Sequence, residues 1–344
     1  MPFQSLSLCV DLYGCPNRCR HCWLGHMPNR AMAPDADARI VELFKPYFEH
    51  IEFYSWLREP DFCPDYRARW ERDKALSVNA VPERFELASF WRLVRDPDYA
   101  PFLKELGVPA VQLTFFGLEE TTDRYVGRKG AFRELLRATE LLLDQGIRPR
   151  WQGFINEENR EELVSLLALS EELELPRRCE ALGGEFRFFV HTGSCEGEGR
   201  KLYPIWIRRD HVPAPLIPHF LDYDALMPER ELCRLWRDAP GSAAPHNGGE
   251  ELVLYVSNEY DLYFNFTHMR PEWRIGNLNE EPIDELIRRA VEEDTPALRA
   301  ARAVTLGKLV QRYGSPASER AFSPEDYQAY LLNRCLEQQT HANA

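Results

Sequence analysis

Hydrophobic positions repeat along this chain with two different periods. Segments such as SLSLCVDL and AVQLTFF alternate apolar and polar residues, which is typical of strands with one buried face. Segments such as AFRELLRATELLLDQG carry apolar residues three and four positions apart, which is typical of amphipathic helices. The pattern predicts helices over 35–50, 90–106 and 131–145 and one starting near Asn159, and strands at SLSLCVDL, IEFYSWL, ALSVNAV, AVQLTFF, RPRWQGFI and EFRFFVH.

Alternation of six predicted strands with helices over residues 4–191 implies parallel βαβ units. We therefore predict an α/β fold, a partial (βα)6 TIM-like barrel whose chemistry lies at the carboxyl ends of the strands. Beyond about residue 200, a proline-rich bridge, a helix at PERELCRLW, a hairpin and further helices indicate a smaller α+β C-terminal cap. The predicted division is 1–210 for the barrel and 211–344 for the cap.

Composition narrows the class of protein. The 344 residues include 42 Lys and Arg against 55 Asp and Glu, a net charge of −13, which argues against nucleic-acid and anionic membrane surfaces. No apolar run approaches the length of a membrane span, and MPFQSLSL lacks the features of a secretory signal. Nine cysteines without an export signal indicate reduced thiols or metal ligands. We expect a cytoplasmic protein with no nucleic-acid or membrane partner.

The run GCPNRCRHCW follows the first predicted strand and carries the strongest chemical signal. It spaces Cys15, Cys19 and Cys22 as C-x3-C-x2-C. Three thiolates on one loop can hold three irons of a cubane cluster and leave the fourth iron open for another ligand. The alternative is a zinc site with His21 or His26 as the fourth ligand.

This spacing, the loop position and the strand count resemble the radical SAM superfamily, whose signature C-x3-C-x-aromatic-C has His21 in its aromatic place here. The resemblance implies a [4Fe–4S] cluster on Cys15, Cys19 and Cys22, with S-adenosylmethionine (SAM) on the open iron. It also implies a 5′-deoxyadenosyl radical that abstracts a hydrogen atom from substrate. An oxygen-sensitive enzyme served by an external one-electron reductant of the flavodoxin or ferredoxin type is expected.

Further residues follow from the same resemblance. SWLREPDF matches a GGEP-like turn in which Leu57 and Arg58 replace the glycines. Glu59 would receive the SAM amino group, and Arg58 would reach a carboxylate of SAM or of the substrate, unless both belong to a solvated polar turn. Polar residues near later strand ends are candidates for binding SAM or substrate, or for a structural role: Asn79, Thr114, Arg150 and Gln152.

The C-terminal run EWRIGNLNEEPIDELI resembles a SPASM or twitch extension, here without its usual cluster-binding cysteines. We expect it to close the barrel mouth; the alternative is a second cluster on Cys179, Cys195 and Cys233. Cys63 and Cys195 follow strand ends, so each is either a hydrogen donor to a substrate radical or a buried apolar thiol. Aromatic residues near the predicted mouth favour core packing over a stacking wall: Trp23, Trp56, Trp151 and Phe154.

The substrate is predicted less sharply than the chemistry. The chain enters its first strand by about residue 4, so we expect no leader-recognition module before it, which favours a small-molecule substrate or a peptide delivered by a separate partner. The alternative is a maturase that acts on a peptide or protein. A rival of a different class is a non-catalytic zinc-binding interaction protein.

Overall fold

A computed structural model of the chain describes residues 3–267 and 269–343. Its helices are α1 Ala36–Phe44, α2 Tyr66–Leu76, α3 Phe90–Leu93, α4 Tyr99–Glu105, α5 Glu119–Val126, α6 Ala131–Asp144, α7 Arg160–Glu172, α8 Leu175–Ala181, α9 Glu229–Trp236, α10 Ile283–Val291, α11 Pro296–Arg302, α12 Leu306–Tyr313 and α13 Pro324–Asn343. Its strands are β1 Ser5–Val10, β2 His50–Tyr54, β3 Ala110–Phe115, β4 Arg148–Phe154, β5 Arg187–His191, β6 Met227–Pro228, β7 Leu252–Val256, β8 Asp261–Phe264, β9 Gly276–Asn277 and β10 Ala321–Phe322.

Two sheets form the framework of the molecule. The first has the order β2-β1-β7-β8-β9, with β2 and β7 both parallel to β1 and with β8 and β9 antiparallel. The second is the parallel sheet β3-β4-β5, and β6 and β10 form a separate antiparallel pair. The predicted α/β class with parallel strands is confirmed. Among the described residues the strands form separate sheets rather than one closed barrel.

Five of the six strands predicted before residue 200 are present, and ALSVNAV is the exception. Val78 makes an isolated antiparallel bridge to Ile51, and no strand follows it. Asn79 adopts a left-handed φ of 48°, a conformation that asparagine tolerates but that breaks a strand. Pro82 then removes a backbone donor that a central strand would need.

An irregular segment takes the place of the missing strand between the two sheets. The amide of Glu83 donates to the Tyr54 hydroxyl at 3.0 Å, and the amide of Gln112 donates to the Glu86 carbonyl at 2.9 Å. The first contact ties the segment to β2 and the second ties it to β3. The gap between the sheets is therefore bridged by few hydrogen bonds, which leaves room for a cavity beside it.

Local sequence signals explain several of the helix ends. The predicted helix over 90–106 is divided into α3 and α4 around Pro97, because the residue before a proline avoids helical backbone. Gly146, with φ of 71°, follows the end of α6 as predicted. Helix α7 starts beside Asn159 as predicted, but the Asn159 amide donates to the carbonyls of Phe116 and Phe154 instead of capping the helix.

The C-terminal part of the chain contributes a wall to the first sheet. The predicted hairpin is confirmed as β7 and β8, and β7 also pairs in parallel with β1 from Leu6–Leu252 to Val10–Val256. Buried side chains of β1 and β7 share one hydrophobic core with helices α9 to α13. Within the described part of the chain, no helix has the length and apolarity needed to cross a bilayer.

Candidate active site

A cavity of about 1270 Å³ opens beside the carboxyl ends of β1 and β2. The cysteine loop after β1 forms its upper wall, and inward side chains of β1, β2, β3 and β7 form its sides. The irregular segment between the sheets closes another side with Glu83, Phe85 and Leu87. This is the edge at which parallel α/β sheets hold their ligands.

Cys15, Cys19 and Cys22 all line this cavity, and all three are free thiols. Asn29 holds the start of the loop, accepting from the Cys15 amide at 3.1 Å and donating to the Cys15 carbonyl at 2.7 Å. The Asn17 amide approaches the Cys15 Sγ at 3.5 Å, and the Cys22 amide donates to the Cys19 carbonyl at 3.2 Å. These contacts hold the backbone of the loop, and the Cys22 Sγ itself donates to the Gly25 carbonyl at 3.7 Å.

The electrostatics of these thiols suit a cationic metal centre. Burial raises the pKa of all three, and the charge of Glu59 raises the pKa of Cys15 further. The pKa of Cys19 is also raised by the neighbouring Cys22. Thiolates are the form that ligates metals, and thiols whose pKa is raised in this way lose their protons only when positive charge lies beside them. A cluster that offers one iron to each thiolate supplies that charge, and the donor set fits it.

Neither histidine proposed for a zinc site is arranged as a fourth ligand. The Nε2 of His26 lies 3.0 Å from the Cys19 carbonyl oxygen, and its Nδ1 lies 3.7 Å from Glu198. His21 packs with its ring centroid 4.6 Å from that of Phe116 and 4.2 Å from that of Phe154. Within the described residues, no three His, Cys, Asp or Glu side chains are grouped around a single-ion site.

His21 itself has an environment that keeps it neutral. Burial, and then the nearby His191, lower the pKa of His21 to about 3. Its Nδ1 is buried without a hydrogen-bond partner, and the residue borders the cavity. An aromatic, uncharged ring with one open nitrogen therefore occupies the place where the sequence motif predicts an aromatic side chain.

Arg58 is committed to the protein. Its Nε donates to Asp11 Oδ2 at 2.9 Å, its Nη2 lies 2.7 Å from the same oxygen, and its Nη1 donates to the Met27 carbonyl at 2.8 Å. The side chains of Arg58 and Asp11 are 7% and 1% exposed. The guanidinium thus ties the cysteine loop to the end of β1, and its fork is occupied by Asp11 rather than free for a ligand carboxylate.

Glu59 differs from its neighbour because half of its carboxylate is unpartnered. Its Oε2 lies 3.7 Å from the Cys15 Sγ, whereas its Oε1 is buried with no hydrogen-bond partner. Burial raises the pKa of Glu59 to about 7. The side chain lines the cavity, so an ammonium group placed there would satisfy the open oxygen.

The polar residues predicted on β3 and β4 bond to one another. Gln152 Oε1 accepts from Gln112 Nε2 at 2.6 Å and from Thr114 Oγ1 at 3.0 Å. Arg150 lies 2.5 Å from Glu86 and also donates to Gln112 at 3.2 Å. Gln112 and Thr114 line the cavity, while Arg150 and Gln152 stand behind them.

His191 on β5 completes this network and was missed from the sequence. Its Nε2 faces the Gln152 amide at 2.5 Å, and burial lowers its pKa to about 4. Its ring lies 4.3 Å from that of Phe154, which separates it from His21. The alternation in EFRFFVH does not by itself show which β4 residues lie beside His191. The register of β5 against β4 puts His191 on the same face as Gln152, and this register could not be predicted from the sequence.

Several predicted site residues lie away from the cavity. Asn79 is at the amino-terminal end of β2, exposed, with its amide donating to the Glu49 carbonyl at 2.9 Å. The prediction that Asn79 lies at the carboxyl end of a strand is wrong, because ALSVNAV does not form a parallel strand. Cys63 is buried beside Asp61 in a separate narrow cleft, and Cys195 is fully buried in the core, so neither thiol faces the cavity.

The proposed second cluster is not assembled either. Cys179 belongs to the core behind β3, β4 and β5, whereas Cys195 and Cys233 belong to the other core. The Cys233 Sγ contacts the Tyr327 hydroxyl at 3.2 Å. The prediction fails because helix α8, which carries Cys179, packs in one core, whereas helix α9 with Cys233 and the loop with Cys195 pack in the other.

Some of the aromatic residues predicted near the mouth belong to the core, and others line the cavity. Trp151 is fully buried in the core, and Phe154 packs against His21. Trp23 and Trp56 line the cavity instead. Residues that the sequence analysis did not select complete the cavity wall on β1, β2 and β7: Ser7, Cys9, Glu52, Tyr54, Glu251, Val253 and Tyr255.

Comparison with known proteins bears on this arrangement. Residues 10–169 match the model of the radical SAM superfamily. A stretch of 84 residues, 24% of this chain, is 34% identical to the Fe-coproporphyrin III synthase of Methanosarcina barkeri (strain Fusaro / DSM 804). That stretch covers 21% of the synthase, so the chain matches about one fifth of the length of this curated relative.

Two solved structures resemble the whole chain in fold. Native anSMEcpe with bound AdoMet has a TM-score of 0.51 and 13% identity, covering 98% of this chain and 100% of its own. The same protein with bound AdoMet and Cp18Cys peptide also has a TM-score of 0.51 and 13% identity, covering 99% and 100%. The match to the radical SAM superfamily therefore covers residues 10–169 of this chain, and the two solved structures show a likeness of fold. The radical SAM superfamily uses a [4Fe–4S] cluster and S-adenosylmethionine.

Proposed function

We propose that this enzyme reductively cleaves SAM and abstracts a hydrogen atom from a small molecule bound in the cavity between β1, β2 and β7. The observation that carries the proposal is the position of three free thiols, Cys15, Cys19 and Cys22, on the wall of one cavity. The bound cofactors supply a strongly oxidising carbon radical, and the protein supplies binding, orientation and exclusion of water.

Individual residues have distinct proposed roles. The three cysteines hold the cluster, and Glu59 accepts hydrogen bonds from the SAM ammonium with its unpartnered oxygen. Arg58 keeps the cysteine loop in place through Asp11 and is a positioning residue. His21 offers its neutral ring at the edge of the cavity, and Thr114 offers its hydroxyl, with Gln152 and Arg150 holding the wall behind it.

The C-terminal part acts as a cap in this proposal. Because β7 lies beside β1, its side chains Val253 and Tyr255 form part of the cavity wall. An external one-electron reductant of the flavodoxin or ferredoxin type delivers the electron. The nine cysteines, all free, suit a reducing compartment such as the cytoplasm.

A peptide substrate is the second candidate function. The observation that favours it is the fold likeness to anSMEcpe, whose solved structure holds the Cp18Cys peptide and covers nearly this whole chain. The cavity volume of about 1270 Å³ exceeds that of ordinary small-ligand sites, which span about 300–1,000 Å³, so it can take SAM and a second group together.

The test is cluster assembly and SAM cleavage by wild type and Cys19→Ala after anaerobic reconstitution. We expect about four irons per chain in wild type and formation of 5′-deoxyadenosine on reduction. Cys19→Ala is expected to lose both while its circular dichroism spectrum stays that of a folded α/β protein. Cys63→Ala is the matched control, because that thiol is buried away from the cavity. Retained 5′-deoxyadenosine formation in Cys19→Ala would contradict the ligand assignment.

A further inference from the structure

The inner wall of the cavity has an ordered arrangement of side chains. The register of β1 with β2 and β7 aligns them in rows across the three strands. The row nearer the cysteine loop is Tyr54, Cys9 and Tyr255, and the deeper row is Glu52, Ser7 and Val253, with Glu251 beyond it. The deeper row lies about 7 Å further from the loop, since each strand residue rises about 3.3 Å. The wall thus changes from aromatic to acidic with depth.

The two deep carboxylates form no ion pair with any cation in the described part of the chain. Glu52 accepts a hydrogen bond from the Tyr54 hydroxyl at 3.0 Å. Within residues 3–267 and 269–343, no lysine, arginine or histidine forms an ion pair with Glu52 or Glu251. Burial, and then the charge of Glu52, raise the pKa of Glu251. Half-buried negative charge of this kind is costly until a positive group binds beside it.

Aromatic rings frame the approach to these carboxylates, and they are an independent feature of the cavity. The ring of Phe85 lies 5.4 Å from that of Tyr54 and 6.1 Å from that of Trp56. On the other side, the rings of Trp23 and Tyr255 are 6.1 Å apart. Aromatic faces attract cations, and they do so most strongly where water is excluded.

The opposite end of the cavity also indicates a bound ligand. Glu59 Oε1 is fully buried, borders the same cavity and has no hydrogen-bond partner. A buried polar atom in this state is usually satisfied by a ligand or water. The cavity therefore has an unsatisfied acceptor near the cysteine loop and two uncompensated carboxylates at depth.

We infer that the substrate carries a cationic group, an ammonium or a guanidinium, which binds Glu52 and Glu251 at the deep end of the cavity. Its apolar or aromatic middle lies along Tyr54 and Tyr255. The carbon that loses hydrogen then lies toward the cysteine loop, so the cation is a handle remote from the reacting bond. This inference rests on the proposed function, because it names the substrate class of the same cavity.

The experiment is anaerobic calorimetric titration of the reconstituted, SAM-bound enzyme with four probes. Butylguanidine and butylamine are monocations, and butylurea is a neutral molecule of similar size. The pentapeptide Gly-Gly-Arg-Gly-Gly presents the same cation on a peptide. We expect both monocations to bind at least about tenfold more tightly than butylurea, the range of a charge-assisted hydrogen bond. Tighter binding of the pentapeptide than of butylguanidine identifies a peptide source of the cation, and the reverse identifies a small molecule.

Three variants locate the binding. Glu52→Gln and Glu251→Gln are each expected to weaken butylguanidine binding about tenfold and to leave butylurea binding unchanged. Glu49→Gln is the matched control, because Glu49 is exposed just before β2 and lies outside the cavity. Glu49→Gln changes the net charge of the protein by the same amount as the cavity variants. If it leaves binding unchanged, long-range electrostatic attraction does not explain the weaker binding of the cavity variants.

Two results separate the inference from the proposed function. Equal affinity for butylguanidine and butylurea, or cation binding unchanged in both cavity variants, overturns the inference. Formation of 5′-deoxyadenosine in the same samples leaves the proposed function standing in that event. Absence of 5′-deoxyadenosine from the reduced wild-type enzyme overturns the proposed function itself.

Discussion

The two side walls of the cavity are both polar, yet they differ in how their polar groups are satisfied. On β3 and β4, Gln112, Thr114, Gln152 and Arg150 bond to one another and to Glu86. On the β1, β2 and β7 wall, the carboxylates of Glu52 and Glu251 line the cavity, and neither is paired with a cation among the described residues. The first pattern stabilises a fold, because each buried polar group has its partner. The second pattern leaves charge uncompensated until a ligand binds, and it is the side that our inference assigns to the substrate.

The same contrast applies to the two adjacent residues Arg58 and Glu59. Arg58 is paired with Asp11, whereas one oxygen of Glu59 has no partner. The sequence resemblance predicts that both residues bind a ligand. Their contacts in the structure indicate a structural role for Arg58 and a ligand-binding role for Glu59. Four substitutions test whether partnered groups govern stability and unpartnered groups govern binding.

The largest effect is expected from Arg58→Ala. The change leaves the carboxylate of Asp11 buried and unpaired, which costs about 3–5 kcal/mol in free energy of unfolding. Urea denaturation of the apo-protein measures it. Arg30→Ala, which removes an exposed arginine near the same loop, is the control and should change stability by less than about 0.5 kcal/mol. A loss below about 1 kcal/mol in Arg58→Ala would show that the pair does not hold the loop.

Gln152→Ala is expected to have the next largest effect on stability. It leaves Gln112, Thr114 and His191 without their shared partner, and each unsatisfied buried group costs about 1–3 kcal/mol. Because water can enter from the cavity side, we expect a total near the middle of that range. Thermal unfolding of the apo-protein checks it. Unchanged unfolding with weakened SAM binding would instead assign Gln152 to the ligand side of the comparison.

Glu59→Gln should act on binding rather than on stability. Loss of the charge at the unpartnered oxygen is expected to weaken SAM binding roughly tenfold, since one charge-assisted hydrogen bond becomes a neutral one. Equilibrium dialysis with labelled SAM measures the affinity, and iron analysis confirms that the cluster is retained. An unchanged dissociation constant would remove this turn from the SAM site.

Glu251→Gln is expected to change stability least. Burial raises the pKa of Glu251, so the folded state holds that proton more tightly than the unfolded state. The wild type therefore loses stability relative to the variant as pH rises through the ordinary carboxylate range toward the raised pKa. We expect a gain of less than about 0.5 kcal/mol for the variant at pH 7.5 and no gain at pH 4. A clear loss of stability at pH 7.5 would reveal a structural partner for this carboxylate.

Local patterns in the sequence were sufficient for the elements and for the cysteine motif. Alternation in SLSLCVDL and helical spacing in AFRELLRATELLLDQG predicted β1 and α6, and GCPNRCRHCW marked the loop at the strand end. These signals depend on neighbouring residues only. The strand prediction for ALSVNAV failed because a left-handed asparagine and a proline interrupt an otherwise suitable run.

Long-range pairing was what the sequence left open. The pairing of β7 with β1 places Tyr255 beside Cys9 and Val253 beside Ser7, although about 240 residues of chain separate the two strands. Likewise, the burial of Cys195 and the pairing of Arg58 with Asp11 depend on how distant segments pack. The inner wall of the site therefore became visible only with the fold, although each of its strands was predicted.

Iron anomalous diffraction from crystals of the reconstituted, SAM-bound enzyme tests the central claim most directly. The account predicts iron density bounded by the sulfur atoms of Cys15, Cys19 and Cys22, with SAM between that density and Glu59. It also predicts that no protein side chain occupies the fourth iron. A single metal ion at the three sulfurs, or a fourth protein ligand on the cluster, would contradict it.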